Sequence, residues 1–136
     1  MDQDENREQT KSPTAVYKEL IDRFGAGWEK GKLDWVAEVF TADGIFQSDP
    51  FEKGLVGIEA IKSYWGDVPK EQAEISFRVG ETFVVGPWFS TEFRCTFRRR
   101  RTGAWMDVRG AIFCETKNGL ISEMRMYWHR STTAKQ

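Results

Sequence analysis

Apolar side chains near the start of the chain recur at the spacing of an α-helix. They share one face over residues 13–29, at Val16, Leu20, Ile21, Phe24 and Trp28. Ser12 and Pro13 precede this face as an N-cap and a first-turn proline, and Gly31 follows it. The pattern therefore predicts an amphipathic helix over residues 13–29.

Weaker patterns over residues 32–65 predict two more helices with a short strand between them. The second helix covers residues 32–41, and the third opens at Gly57 and runs through Trp65. A turn is predicted at residues 42–44, then a strand at residues 45–48 that Asp49-Pro50 ends, and a loop over residues 51–56.

The second half of the chain has the composition of strands. Residues rich in Phe, Val, Ile, Thr and Trp predict four strands, over residues 75–86, 89–100, 104–116 and 120–130. Thr102-Gly103 and Asn118-Gly119 stand where two-residue hairpin turns belong. Helices followed by an antiparallel meander indicate the α+β class, with the helices packed on one face of the sheet.

Composition and charge limit the partners that we expect. The 136 residues fit one domain, predicted over residues 12–131, and the polar residues 1–11 are predicted to be a disordered tail. A formal net charge of -1 gives no overall attraction for nucleic acid or an anionic membrane, so neither is expected as a partner. The acidic N-terminal sequence is unlike a secretion signal, and a cytoplasmic location is therefore predicted.

Few residues are suited to binding a metal. The chain has one histidine and two cysteines, which form no recognisable zinc motif. We expect Cys95 and Cys114 to be reduced residues within strands, and we expect no cofactor.

Three segments stand in a fixed order along the chain, namely GKLDWVAEVFTADGIFQSDP, GLVGIEAIKSYW and NGLISEMRMYWHR. This order resembles the nuclear-transport-factor-2-like superfamily, and within it the SnoaL-like and ketosteroid-isomerase-like proteins, over roughly residues 13–130. The resemblance implies a cone-shaped fold in which N-terminal helices pack on a curved, mainly antiparallel sheet. It also implies a homodimer and one apolar pocket at the open end of the cone.

The same resemblance implies a SnoaL-like protein that holds a small molecule in its pocket. The superfamily includes isomerases, cyclases, epoxide hydrolases, dehydratases and proteins without catalysis, so fold alone does not decide the reaction. The first hypothesis is a cofactor-independent isomerase, cyclase, hydratase or hydrolase acting on a small apolar or cyclic substrate. The alternative is a non-catalytic ligand-binding or dimerisation module of the same fold.

Asp49 matches the general base of the ketosteroid isomerases, because Ala42-Asp43 and Asp49-Pro50 keep the family's spacing. A carboxylate at the mouth of an apolar pocket is poised to accept a proton, since desolvation disfavours its charged form. The family's two oxyanion donors, a Tyr and a protonated Asp, fall here on Phe24 and at or beside Ala111. The usual steroid isomerisation is therefore not expected. The alternative role of Asp49 is to end a strand and cap a turn.

The Asn118-Gly119 turn sets the register of the last two strands if it is a two-residue hairpin. Counting outward from it pairs Phe113 with Met124 and Arg109 with Trp128, and opposed residues share a face. The face predicted to line the pocket carries Arg109, Phe113, Met124, Met126 and Trp128. The face predicted to meet solvent or a dimer partner carries Glu123, Arg125, Tyr127 and His129.

Arg109 has two interpretations that the sequence leaves open. On an inward face it is a buried charge, which is costly unless it is paired. Beside Asp49 it would orient a substrate carboxylate or stabilise an oxyanion, so Asp49 and Arg109 are the candidate catalytic residues. The alternative is a structural ion pair with Asp107.

Strand 89–100 gives conflicting indications. A two-residue turn at Thr102-Gly103 directs Glu92 and Arg94 inward, whereas its apolar face carries Phe93, Cys95 and Phe97. Burial of the apolar face is the stronger indication, because a one-residue slip or a bulge can change the register that a turn sets. Glu92 and Arg94 are therefore predicted to point outward.

Aromatic and methionine side chains are the candidate walls of the pocket. The predicted substrate-binding residues are Phe24, Trp28, Trp65, Phe113, Met124, Met126 and Trp128, with core packing as the alternative for each. The basic run Arg98–Arg101 is interpreted either as a phosphate contact or as a solvated hairpin tip. No aromatic platform accompanies it, as a nucleic-acid surface would require.

Overall fold

The computed structural model describes residues 12–133, and the predicted disordered tail over residues 1–11 lies outside them. The helices are α1 (Pro13–Lys30), α2 (Leu33–Ala37) and α3 (Ile58–Glu71). The strands are β1 (Phe40–Gln47), β2 (Leu55–Val56), β3 (Gln72–Val85), β4 (Trp88–Arg99), β5 (Trp105–Lys117) and β6 (Leu120–Thr133).

Helix α1 begins and ends where its capping residues predict. The Ser12 Oγ accepts a hydrogen bond from the Ala15 N–H at 3.2 Å, which satisfies one of the donors that a helix start leaves unpaired. Gly31 ends the helix in the left-handed conformation, with φ 66°. Ile21, Phe24 and Trp28 are buried, so the predicted apolar face is the one that packs on the sheet.

The segment after α1 differs from its prediction. The second helix ends at Ala37, not at residue 41, and Phe40 already belongs to β1, which contains the predicted turn at residues 42–44. The reason is pairing with β6: the Ile121 N–H donates to the Val39 C=O at 2.8 Å, and Phe40 pairs with Ile121. Tertiary pairing therefore overrides a short helical pattern. The predicted loop contains β2, and α3 extends six residues beyond Trp65.

The six strands of the described chain form one sheet in the order β2-β1-β6-β5-β4-β3. Only the β1–β6 pair is parallel among these neighbours. The helices cover the inner face of the sheet, where the core includes Phe46, Ile61 and Trp65. This arrangement confirms the predicted α+β class with helices on a mainly antiparallel sheet.

A β-bulge in β6 corrects the predicted register of the last hairpin. Asn118 and Gly119 form the predicted two-residue turn, both with positive φ, and Thr116 pairs with Ile121. Glu115 then pairs with Glu123, so Ser122 is an extra residue in β6, and its Oγ donates to the Glu115 C=O at 3.1 Å. Beyond a bulge the two strands are shifted by one residue, which exchanges the faces of β5 relative to β6.

Two residues predicted to line the pocket therefore lie on the outer face of the sheet, away from the helices. Met124 faces Cys114, Met126 faces Ile112, and all four side chains are buried. Arg109 and Phe113 instead point to the outer face, where both are exposed. Met124, Met126 and Trp128 lie on the inner face, whereas Arg109 and Phe113 do not share that face with them, contrary to the predicted register.

The β4–β5 connection is longer than two residues. Residues 100–104 form the loop, and Trp105 pairs with Arg98, whereas a two-residue turn would have paired Arg98 with Asp107. This shift of two residues leaves the faces of β4 unchanged. The conflict is resolved by the bulge in β6, which turns Arg109 outward together with its partner Arg94. Glu92 and Arg94 point outward, as hydrophobicity predicted, and Phe93, Cys95 and Phe97 are buried.

Candidate ligand-binding site

A cavity of about 470 Å³ lies between helices α1 and α3 and the inner face of the sheet. Its apolar wall is formed by Trp28, Trp65, Val68, Phe93, Phe97, Val108, Met126 and Trp128. Polar and charged side chains complete the lining, namely Ser48, Tyr64, Lys70, Glu71, Gln72, Arg99, Arg101, Thr102 and Arg130.

Packed aromatic rings form the helical side of this cavity. The rings of Trp28 and Trp65 lie edge to face, with centroids 5.1 Å apart. Phe24 is fully buried behind them, 5.2 Å from Trp65, and does not line the cavity. Met124 is also fully buried outside the lining. Of the predicted pocket residues, the structure therefore brings together Trp28, Trp65, Met126 and Trp128, with Phe24 and Met124 in the core beside them.

Hydrogen bonds hold two of the indoles in place. The Trp28 Nε1–H donates to the Gln72 Oε1 at 3.0 Å, and the Trp128 Nε1–H donates to the Ser48 backbone oxygen at 2.5 Å. The Trp65 Nε1–H is buried without a hydrogen-bond partner among residues 12–133. Rings held in this way form a preorganised apolar surface.

Tyr64 adds a polar group to the wall that the sequence analysis missed. Partial burial raises the pKa of its phenol, a side-chain hydrogen bond with Ser48 opposes that rise, and nearby Asp49 adds to it. The phenol is therefore protonated at neutral pH and is able to donate a hydrogen bond. The available signal was helical spacing, because Tyr64 follows Ile61 by three residues on α3.

Asp49 caps a turn beside the cavity. Its Oδ1 accepts a hydrogen bond from the Phe51 N–H at 2.8 Å, and its backbone oxygen accepts from the Glu52 N–H at 3.1 Å. Ser48 lines the cavity, whereas Asp49 does not. The turn-capping interpretation of Asp49 thus describes its contacts in the structure.

Arg109 lies on the opposite face of the sheet from the cavity. It forms an ion pair with Asp107 at 2.9 Å, and Arg94 binds the same carboxylate at 2.9 Å. Hydrogen bonds from Arg109 and Arg94 lower the pKa of the Asp107 carboxyl to about 2. The structural ion pair with Asp107 is therefore the interpretation that the geometry supports, and Asp49 and Arg109 do not share a cavity. Phe113, on the same outer face, packs edge to face on Tyr127.

The basic run Arg98–Arg101 divides between two roles. Arg98 forms an ion pair with Glu74 at 2.7 Å, and Arg100 donates to the Pro69 C=O at 2.8 Å. Arg99 and Arg101 line the cavity instead. The run is thus partly structural and partly at the cavity mouth.

A metal site, a reactive thiol and a membrane-spanning helix each have requirements that can be compared with the described residues. Between residues 12 and 133, no three His, Cys, Asp or Glu side chains are grouped to hold a metal ion. Cys95 and Cys114 are buried free thiols in β4 and β5, as predicted, and burial raises the pKa of both. None of the helices described in that range is long and apolar enough to cross a membrane.

Comparison with known proteins gives one family match. The family described as "SnoaL-like domain" matches residues 21–124, which is more than half of the chain. No curated protein sequence matches the chain.

Solved structures share the fold at low sequence identity. A candidate isomerase from Bacillus subtilis has a TM-score of 0.79 and 22% identity, and the match covers 88% of this chain and 90% of that one. A candidate SnoaL-like polyketide cyclase from Jannaschia sp. CCS1 has a TM-score of 0.75 and 19% identity, with 88% and 90% covered. A computationally designed 17-OHP binder has a TM-score of 0.74 and 15% identity, with 90% and 100% covered. These similarities show a common fold.

Proposed function

Because the chain belongs to the family of SnoaL-like domains, we propose that it binds a small apolar or cyclic molecule in the cavity between α1, α3 and the sheet. The observation that carries the proposal is the lining of that cavity. Three tryptophans and a methionine line about 470 Å³, within the roughly 300–1,000 Å³ of small-molecule sites. A few polar groups, such as Ser48, Tyr64 and Gln72, are available to orient the ligand.

Filling the cavity tests this proposal. Val108 lies in the cavity wall, so Val108→Trp places an indole where the ligand would bind. Isothermal titration calorimetry with 2-naphthamide, a neutral two-ring amide, should give binding to the unmodified protein and none to the variant. Val56→Trp is the matched control, because Val56 is 65% exposed and lies outside the cavity. Equal binding by both variants would contradict the proposal.

A cofactor-independent proton transfer in the same cavity is the second candidate function. It is favoured by Ser48 and Tyr64 in the cavity lining, with the carboxylate of Asp49 near Tyr64 in the adjoining turn. In this hypothesis the Asp49 carboxylate accepts a proton, and the neutral Tyr64 phenol donates a hydrogen bond to the oxygen that gains charge. Isomerisation, cyclisation and hydration are reactions that such groups are able to support.

Asp49→Asn separates an enzyme from a binding module. In an enzyme, this change should abolish turnover of a carbonyl or epoxide substrate that the cavity binds, while the melting temperature stays the same. Asp43→Asn is the control, because Asp43 is an exposed residue of β1 whose Oδ1 accepts from the Thr41 hydroxyl. If no such substrate is turned over and Asp49→Asn leaves ligand affinity intact, the non-catalytic module is the function.

We also propose that the protein is a homodimer through the outer face of the sheet. This face exposes large apolar side chains, namely Phe83, Val85, Trp88, Phe113 and Tyr127.

A cytoplasmic location stays a prediction that cell fractionation would test.

A further inference from the structure

The lining of the cavity changes character from its floor to its mouth. The apolar residues of the floor are buried, with Trp65 at 3% and Met126 at 4% exposure. The mouth carries four positively charged side chains, those of Lys70, Arg99, Arg101 and Arg130. The cavity lining has one negatively charged side chain, that of Glu71. The mouth is therefore cationic, although the whole chain has a net charge of -1.

Strand register places two of these guanidinium groups above the apolar floor. Side chains two residues apart on a strand share a face. Arg99 follows Phe97 on the inner face of β4, and Arg130 follows Trp128 on the inner face of β6. On both strands, an arginine thus follows the inward-facing apolar residues, and both arginines line the same cavity.

Several arginines elsewhere on the sheet have acidic partners, whereas those at the mouth, like Arg78 on the outer face, have none in the described part of the chain. Arg98 pairs with Glu74, and Arg94 and Arg109 share Asp107. Within residues 12–133, no ion pair includes Arg99, Arg101 or Arg130. Lys70 differs from the three arginines because it has an exposed ion pair with Asp67 at 3.5 Å.

The loop that carries Arg101 is fastened to the end of α3. The Arg100 N–H donates to the Glu71 C=O at 2.9 Å, and the Arg100 Nε donates to the Pro69 C=O at 2.8 Å. These two bonds hold residues 100–104 against the helix and set the position of the mouth relative to the floor. The cations are therefore part of a formed rim.

We propose that the ligand of this cavity is an amphipathic anion, that is, an apolar ring system carrying a carboxylate or a phosphate group. The ring packs against Trp28, Trp65 and Trp128, and the anionic group meets Arg99, Arg101 and Arg130 at the mouth. Guanidinium groups suit both anions because their planar N–H donors match pairs of oxygens. This inference rests on the proposed function and names the substrate class of the same site.

Matched ring compounds test the inference by isothermal titration calorimetry. The probes are 2-naphthoate, 2-naphthyl phosphate and the neutral 2-naphthamide, each at low and high sodium chloride. At least one anion should bind about 30-fold tighter than the amide at low salt, as expected from three exposed charge contacts of about 3-fold each. This advantage should shrink at high salt, because salt screens exposed charges. The tighter of the two anions identifies the anionic group.

Single substitutions at the mouth locate the effect. Arg99→Gln, Arg101→Gln and Arg130→Gln should each weaken binding of the preferred anion by about 3-fold, the value of one exposed charge contact. Their affinity for 2-naphthamide should not change. Arg78→Gln is the charge-matched control, because Arg78 is an exposed residue outside the cavity. It should leave the affinity for all three probes unchanged.

Four results would overturn the inference. Equal affinities for the amide and both anions would show a cavity that selects only for apolar rings, which leaves the proposed function intact. If Arg78→Gln weakened anion binding as much as the mouth variants do, the effect would reflect the overall charge of the protein and not a contact at the mouth. Inorganic phosphate that binds as tightly as 2-naphthyl phosphate would show an ion site unconnected with the cavity. Absence of binding by all three ring compounds would remove the proposed function and this inference together.

Discussion

Asp107 shows how one residue's environment sets its charge. Its carboxylate lies between the guanidinium groups of Arg109 and Arg94, each at 2.9 Å, and only 9% of the residue is exposed. These hydrogen bonds lower its pKa from 3.8 to about 2. A carboxyl group whose pKa is lower in the folded chain stabilises the fold above its unfolded pKa, and that contribution is lost as the pH falls through the folded value.

Asp107→Asn should therefore destabilise the protein in a pH-dependent way. At pH 7 we expect the free energy of unfolding to fall by about 1 kcal/mol, a value kept small because the arginines are exposed. The deficit relative to the unmodified protein should shrink as the pH is lowered from about 4 to about 2, the interval between the two pKa values of Asp107. Urea denaturation across this range measures it.

The control for this prediction is Asp67→Asn. Asp67 forms an exposed ion pair with Lys70 at 3.5 Å. Removal of this ion pair should change the free energy of unfolding by only about a few tenths of a kcal/mol. A deficit in Asp107→Asn that stays constant down to pH 2 would mean that charge is not the cause.

At the scale of elements, two glycines within helices have opposite surroundings. A Cβ built on Gly25 of α1 would lie 2.3 Å from the Phe77 ring, so α1 and β3 approach closely because this residue has no side chain. A Cβ on Gly66 of α3 would meet its nearest neighbour, Leu33, at 3.7 Å, an ordinary contact.

Gly25→Ala and Gly66→Ala should change stability in opposite directions. Gly25→Ala overpacks the α1–β3 contact and should lower the free energy of unfolding by about 1–3 kcal/mol. Gly66→Ala should raise it by about 0.5–1 kcal/mol, because alanine loses less conformational entropy in a helix. Chemical denaturation of both variants checks the pair, and a stabilised Gly25→Ala protein would refute the packing argument.

Individual residues explain which elements were predictable. Helix α1 carries its cap, its apolar stripe and its terminal glycine within one segment, and the prediction missed its end by one residue. The β6 bulge depends on a contact between Ser122 and Glu115 of the neighbouring strand, which hydrophobic alternation does not encode. The predicted positions of Arg109 and Phe113 failed for that reason. The outward direction of Glu92 and Arg94 was predicted correctly, because the burial of Phe93 and Phe97 fixes which face of β4 points inward.

At the scale of the whole molecule, the exposed aromatic patch on the outer sheet face is the surface proposed for dimerisation. Phe113 is 41% exposed and packs on Tyr127, with ring centroids 5.6 Å apart. Burial of such rings against a second copy would remove apolar surface from water. Two copies of the same patch form a self-complementary interface under two-fold symmetry.

Sedimentation should find the protein at twice the mass of one chain at micromolar concentration. Phe113→Glu should convert it to a monomer, because it places a charge in the proposed interface. Phe51→Glu is the matched control, since Phe51 is 96% exposed in the turn after β1, away from this patch. A monomeric unmodified protein, or equal dissociation by both variants, would exclude the interface.

Local pattern alone determined the class of the fold, the four strands β3–β6 that follow the last helix, and the inner face of β6. These follow from side-chain periodicity and capping, which act between residues near in sequence. Only the tertiary structure decided that Asp49 caps a turn, that Arg109 pairs with Asp107 outside, and that Arg99 and Arg130 share a cavity with Trp65. Each of these depends on contacts between segments distant in sequence, where one bulged residue is enough to exchange the faces of a strand.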